Sequence, residues 1–213
     1  NPLTSIVGYA SELRLSLPDG DPRRDEVMII EGEALRARKI VRDLLDFSRQ
    51  RSPALEAVHI NPLLSRVVSI LRHQARLANV EVEEEYGVDL PTVHADADQL
   101  RQVFLNLVTN GLDAMPDGGR LWIATGLVEQ DGAFWVEIAV RDTGSGIAPE
   151  NLSRVFEPFF TTKPEAKGMG LGLSVSQGII EGHKGQILAE SELRRGSTFR
   201  VRLPTMVPLG RNP

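Results

Sequence analysis

The sequence predicts an α+β protein in two parts, a helical hairpin followed by a mixed α/β domain, and three observations carry that prediction. Apolar residues step by three and four through the first fifty positions, PDGDP (18–22) interrupts that stepping once, and after RSPALEA (51–57) the pattern changes to short alternating strands mixed with helices. With 213 residues and 41% hydrophobic content, the chain is long enough to bury a real core.

In the hairpin, Leu3, Ile6, Ala10, Leu13 and Leu17 form the stripe of a first helix that stops at PDGDP. A longer helix from about Arg23 to Arg51 carries Val27, Ile30, Ala34, Ala37, Val41 and Leu44, with Ile40 and Phe47 alongside. Two helices alone bury too little, so the expectation is a four-helix bundle made by two copies; packing on the neighbouring domain is the alternative. In the second part, residues 61–80 read as a helix with a proline near its first turn, followed by an alternating strand VEVEEEYGV (80–88). A further helix runs from about Asp96 to Met115 and is closed by PDGG. Strands at 120–130 and 133–142 join around Asp131-Gly132 as a hairpin, and 185–191 with 196–204 read as two more antiparallel strands. The domain division is 1–52 for the hairpin and 55–207 for the second domain.

Composition narrows the function classes. There is no cysteine, so disulfides and cysteine-metal sites are excluded, and a cytoplasmic setting is expected. A formal net charge of -5 argues against nucleic acid as a partner, and an anionic ligand would need neutralisation by a metal, a lysine or backbone amides. No apolar run approaches the roughly 20 residues of a membrane-spanning helix, so no membrane contact is expected of this portion.

Four stretches carry chemistry. In LRQVFLNLVTNGLDAM (100–115), Asn106, Asn110 and Asp113 fall within about 60 degrees of one another on a helix, opposite Leu100, Phe104, Leu107, Val108 and Met115. Short amides and a carboxylate offer oxygen ligands to a hard cation such as magnesium, or a hydrogen-bonded structural stripe. In RDTGSGIAPE (141–150), Asp142 ends a strand where it can accept from an exocyclic amine, and Gly144 and Gly146 let backbone approach a flat ring; a tight turn is the plainer alternative. An aspartic protease would need a second DTG motif, and none is present. In residues 155–180, Thr161, Thr162 and Lys163 precede Gly168, Gly170, Leu171 and Gly172 at the start of an apolar helix. Glycine backbone and a helix N-terminus together can cradle phosphate, with Lys163 as either a charge partner or a solvated surface lysine. In RRGSTFRV (194–201), Gly196 and Thr198 begin the last strand, as a ligand contact or a plain hairpin.

In that order, NLVTNGLDAM, DTGSG, FEPFFTTK, GMGLGL and GSTF resemble the N, G1, F, G2 and G3 boxes of sensor histidine kinases, whose ATP-binding domain belongs to the gyrase, chaperone and mismatch-repair ATPase superfamily. NPLTSIVGYASEL is similar to the segment following the phospho-accepting histidine of that family's dimerisation helix, so the resemblance spans nearly the whole chain. It implies an α/β sandwich with a mixed sheet, ATP and Mg2+ as cofactors, a homodimer through the hairpin, and a response-regulator receiver domain as partner; the parent protein can be membrane-anchored.

Residue by residue, the resemblance implies that Asn110 holds magnesium with help from Asn106, that Asp113 supports them, and that Asp142 hydrogen-bonds the adenine amine. Gly144 and Gly146 would line the base. Thr161, Thr162, Lys163, Gly168, Gly170, Leu171 and Gly172 would form the lid and phosphate site, with Thr198 a further contact. Asn1 would match the position that orients water when such proteins dephosphorylate their partner. Gly111 departs from the family's usual alanine. The acceptor histidine is expected four positions before Asn1, and the histidines present, His59, His73, His94 and His183, fit no acceptor motif and read as surface or packing residues. The resemblance leaves two other functions: a non-catalytic ATP-binding regulatory module, or a superfamily ATPase that hydrolyses ATP with water. The second generally uses a glutamate in the asparagine-bearing helix, and residues 96–115 contain none.

Overall fold

The computed structural model describes residues 2–48, 54–162 and 170–205. The chain divides into two compact units. The first carries α1 (Pro2–Ser16) and α2 (Arg23–Ser48). Between them Asp21 ends the turn by accepting from the Arg23 backbone N–H at 2.9 Å, and Asp25 and Glu26 place acidic charge in the first turn of α2. The seam of the pair is small and partly polar. Ala10, Val27 and Ala34 are buried, while the Ser11 hydroxyl and Arg14 Nε, the latter at 3.0 Å, both reach the Glu31 carboxylate. The predicted stripe is therefore split: Ile6, Leu13 and Ile30 stay 45%, 50% and 53% exposed, because two helices can cover only one side of each other.

The second unit holds β1 (Glu56–Val58), α3 (Ile60–Leu77), β2 (Val80–Tyr86), β3 (Val93–Ala95), α4 (Ala97–Asp113), β4 (Gly119–Gln130), β5 (Ala133–Asp142), α5 (Pro149–Leu152), α6 (Gly172–Gly182), β6 (Gln186–Glu192) and β7 (Gly196–Pro204). Five strands form a mixed sheet in the order β2-β4-β5-β7-β6, with β2 parallel to β4 and the remaining pairs antiparallel. Alternation along β4, β5 and β7 turns Leu121, Ile123, Val136, Ile138, Val140, Phe199, Val201 and Leu203 to one face. There they share one core with Leu64, Val67 and Val68 of α3, Phe104, Leu107 and Val108 of α4, and Ile180 of α6. The opposite face is polar: Glu137 takes Arg200 at 3.3 Å and Arg202 at 2.8 Å, and Arg141 lies over the Trp122 ring at 5.1 Å.

The small sheet β1-β3 and the short α5 were not legible in the sequence. Three-residue strands and a four-residue helix are too short to show a period. A half-buried polar triangle joins the edge of the main sheet to α3. The Thr125 hydroxyl donates to Asn61 Oδ1 at 2.7 Å and accepts the Gly87 N–H at 3.0 Å, while Asn61 Nδ2 donates to the Gly87 carbonyl at 2.9 Å. Thr125→Val keeps the shape but leaves Asn61 Oδ1 without its donor, and is expected to lower unfolding stability by about 1–3 kcal/mol, read as a shift of the urea midpoint.

Candidate functional site

Helix α4 is fixed at its start before it presents anything. Asp96 caps it, accepting the Asp98 and Gln99 N–H groups on Oδ1 at 3.0 Å each and the Ala54 N–H on Oδ2 at 3.0 Å. Burial works to raise the Asp96 pKa, but the backbone donors of Gln99, Ala54 and Asp98 outweigh it and hold the carboxyl below its ordinary value. The Asp96 N–H in turn donates to His183 Nε2 at 2.9 Å, and His183 Nδ1 lies 2.7 Å from the Ile179 carbonyl. An accepting Nε2 requires the proton on Nδ1, so His183 is a neutral packing residue joining α4 to the end of α6. It is buried, whereas His59, His73 and His94 are exposed.

Asn106 and Asn110 lie half-buried along α4, with Asp113 exposed on the same stripe. Asn106 Nδ2 donates to the Ser176 hydroxyl of α6 at 3.0 Å, and Asn110 Nδ2 points to Asn106 Oδ1 at 3.4 Å. The Ser176 hydroxyl donates to the Gly172 carbonyl at 2.9 Å. Asp142, at the end of β5, is only 4% exposed. Its Oδ1 accepts the Gly144 N–H at 2.8 Å and the Ser197 N–H at 3.2 Å; its Oδ2 accepts neither. Burial pushes its pKa upward, and the two backbone donors only partly offset that.

The loop after Asp142 is tied to the rest of the unit on both sides. The Ser145 N–H donates to the Ala114 carbonyl at 3.0 Å and the Arg194 N–H to the Ser145 carbonyl at 2.7 Å. The Ile147 N–H reaches the Ser191 hydroxyl at 2.8 Å, which itself donates to the Gly196 carbonyl at 2.9 Å. Two glycines make these approaches possible. Gly146 has φ +66° and a Cβ there would sit 2.1 Å from the Glu192 carbonyl oxygen; Gly196 has φ +102° and its Cβ would sit 2.0 Å from that of Asp142.

The structure therefore brings Asn106, Asn110, Asp142, Gly144, Gly146 and Gly172 into one unit on α4, the β5 loop and α6. Thr161 and Thr162 are exposed; Gly170 takes φ +70° and Leu171 is buried. Asn1, Lys163 and Gly168 lie outside the described residues. Thr198 lies on the polar face of the sheet, paired with Arg141 and Glu190, while Asp142 faces the helices. Its neighbour Ser197 is the residue on Asp142's face, and strand alternation from Phe199, Val201 and Leu203 already implied that parity. Ser176 and Ser191 carried no motif signal, since a serine inside an apolar helix or strand reads as neutral.

Chemically, the site offers a buried carboxylate with an oxygen to accept from an amine, beside half-buried amides. Among the described residues no group of three or more His, Cys, Asp or Glu could hold a metal ion by itself. A cation held by the two asparagine oxygens would fill its remaining coordination positions with water and the oxygens of a bound anion.

The family described as histidine kinase-, DNA gyrase B-, and HSP90-like ATPase matches residues 95–206, and the His kinase A (phospho-acceptor) domain matches residues 1–53. Sporulation kinase E of Bacillus subtilis is 34% identical over 96% of this chain and 27% of its own length. Sensor kinase CckA of Brucella abortus is 37% identical over 97% of this chain and 23% of its length. The chain thus spans about a quarter of these relatives. Among solved structures, full-length ShkA in complex with AMPPNP has a TM-score of 0.79 at 27% identity, covering 97% of this chain and 44% of that one. Histidine kinase ThkA in complex with response regulator protein TrrA has a TM-score of 0.72 at 28% identity, covering 97% and 58%.

Asp142 makes a stability prediction of definite sign. A carboxyl whose pKa in the folded state lies above its ordinary 3.8 binds more protons folded than unfolded, so it costs stability as pH rises through the window above 3.8. Asp142→Asn keeps an Oδ1 for Gly144 and Ser197 without the charge. Thermal melts from pH 4 to 8 are expected to show the variant at least as stable as the parent at pH 7, with the difference shrinking as pH falls; a variant less stable at pH 7 overturns the reading.

Proposed function

The chain belongs to the histidine kinase-, DNA gyrase B- and HSP90-like ATPases, in the two-domain arrangement of a sensor histidine kinase catalytic core, and on that premise we propose that it binds magnesium ATP as the phosphoryl donor for a histidine. The observation that carries this reading is Asp142: a buried carboxylate at the end of β5, its Oδ1 held by two backbone N–H groups that leave Oδ2 to a ligand, and followed by a loop whose glycines pack directly against neighbouring backbone. Asp142 Oδ2 accepts the adenine amine, and Gly144 and Gly146 line the ring. Asn110 and Asn106 hold the magnesium ion, with Asp113 in support. Thr161, Thr162, Lys163, Gly168, Gly170, Leu171 and Gly172 are assigned to the phosphate site and lid by sequence alone.

Phosphoryl transfer needs in-line placement and neutralised charge more than covalent help. Magnesium supplies the charge when bound; the residues of this chain orient the base and amides and hold the γ-phosphoryl for an imidazole nitrogen. From there the group passes to an aspartate of a response-regulator receiver domain. None of the histidines in this sequence stands in an acceptor motif. The half-exposed Ile6, Leu13, Ile30 and Val41 support a homodimer through the hairpin. Among the described residues no helix is long and apolar enough to cross a membrane, in keeping with a cytoplasmic place for this portion. Asn1 is assigned to orient water in dephosphorylation of the partner.

Calorimetric titration of ADP and AMPPNP, with magnesium and with EDTA, tests the donor site. Binding strengthened by magnesium is expected, with the enhancement falling on the order of tenfold in Asn110→Ala, and with Asp142→Asn losing affinity for both nucleotides. No binding by the parent chain would favour a regulatory module, and steady phosphate release without an acceptor would favour a hydrolytic ATPase.

A further inference from the structure

Ser176 belongs to none of the sequence boxes, yet it is 1% exposed in the middle of α6 and its hydroxyl faces the first of the two asparagines. A serine hydroxyl has one proton to give. Here it goes to the Gly172 carbonyl, one helical turn back, at 2.9 Å. The oxygen can then only accept along its remaining directions. Asn106 must therefore turn its NH2 toward Ser176, at 3.0 Å, which leaves its Oδ1 facing Asn110. That oxygen in turn draws the NH2 of Asn110, at 3.4 Å, so the amide of Asn110 has its orientation set as well.

Each amide could otherwise rotate by a half-turn with little change of shape, exchanging a metal-binding oxygen for a nitrogen that repels a cation. Gly172 closes the same relay from the other side. A Cβ at that position would lie 2.3 Å from Asn106 Oδ1, so the helix start meets the amide directly and any larger residue would displace it.

We propose that Ser176 is a positioning residue for magnesium: through its bond to Asn106 it fixes which atom of the Asn106–Asn110 pair presents oxygen to the cation. The inference rests on the magnesium-nucleotide reading above and deepens it. Outer partners of metal ligands act in this way generally, by restricting ligand orientation.

The test is the ratio of AMPPNP affinities with magnesium and with EDTA, measured on the whole chain. In Ser176→Ala this ratio is expected to fall about tenfold, while affinity in EDTA changes less than twofold; Ser176→Thr, which keeps the hydroxyl, restores the ratio. In the Asn106→Ala background, Ser176→Ala should cause no further loss, as a residue acting through Asn106 requires. In the nucleotide-free protein, proton exchange at the Asn106 side-chain amide should be slowed in the parent and faster in Ser176→Ala. An unchanged ratio, an equal loss in EDTA, or a loss that persists without Asn106 each overturns the proposal. A parent chain that binds nucleotide without regard to magnesium overturns the underlying reading, and the amide-exchange result then reports on the relay by itself. If Ser176→Ala does not fold, Ser176→Cys supplies the same comparison with a weaker acceptor.

Discussion

Three stretches of backbone meet at Asp142 with no room for a side chain between them, and the rest of the site depends on that convergence. The turn between β6 and β7 touches Asp142 through Gly196, the following loop touches β6 through Gly146, and Gly144 lies where a Cβ would stand 2.5 Å from the Ala114 carbonyl at the end of α4. Each approach puts an N–H within reach of something that can use it: Ser197 and Gly144 on the carboxylate, Ser145 on Ala114. A carboxylate at 4% exposure would be expensive if it had only water to lose. Backbone donors offset part of that cost and fix one oxygen, so the carboxylate is rigid before any ligand arrives.

The same logic explains how much of this was legible. The strands of the main sheet and α4 announced themselves because alternation and 3.6-residue stepping are set by which face is buried, and the core is continuous. Asp142, Asn106 and Asn110 were legible because short polar residues in apolar surroundings are costly unless used. Ser176 and Ser191 were not, since their roles come from tertiary neighbours far along the chain: Asn106 lies seventy positions before Ser176, and Ile147 forty-four before Ser191. The choice between Ser197 and Thr198 was readable in principle. The motif drew attention to Thr198, whereas the alternation of Phe199, Val201 and Leu203 places Ser197 inward.

Gly111 shows how a local penalty can belong to a larger fit. Glycine within a helix costs about 1 kcal/mol against alanine, and the sequence alone offers nothing in return. In the fold, a Cβ at Gly111 would stand 2.7 Å from Leu121 Cδ1, a fully buried side chain of β4, and 3.6 Å from the Asp142 Cβ. The missing methyl lets α4 lie close against β4 and the end of β5. Since α4 carries the two asparagines and β5 ends in Asp142, the spacing between amides and carboxylate is set partly by an absent side chain.

The two units differ in what their own residues complete. The second closes a core of fully buried side chains from three helices and the sheet. Among the described hydrophobic residues of its two helices the first buries Ala10, Val27 and Ala34, and it puts an ion pair, Arg14 with Glu31, in the seam between them. Burial of those three small side chains offsets little of the entropy lost in ordering the residues around them. Stability of the hairpin is therefore tied to whatever covers Ile6, Leu13, Ile30 and Val41, and where that cover is a second copy it rises with protein concentration by mass action. The ATPase fold carries no such dependence in its core. The hairpin helices and the core of the ATPase fold thus rest on separate sources of stability.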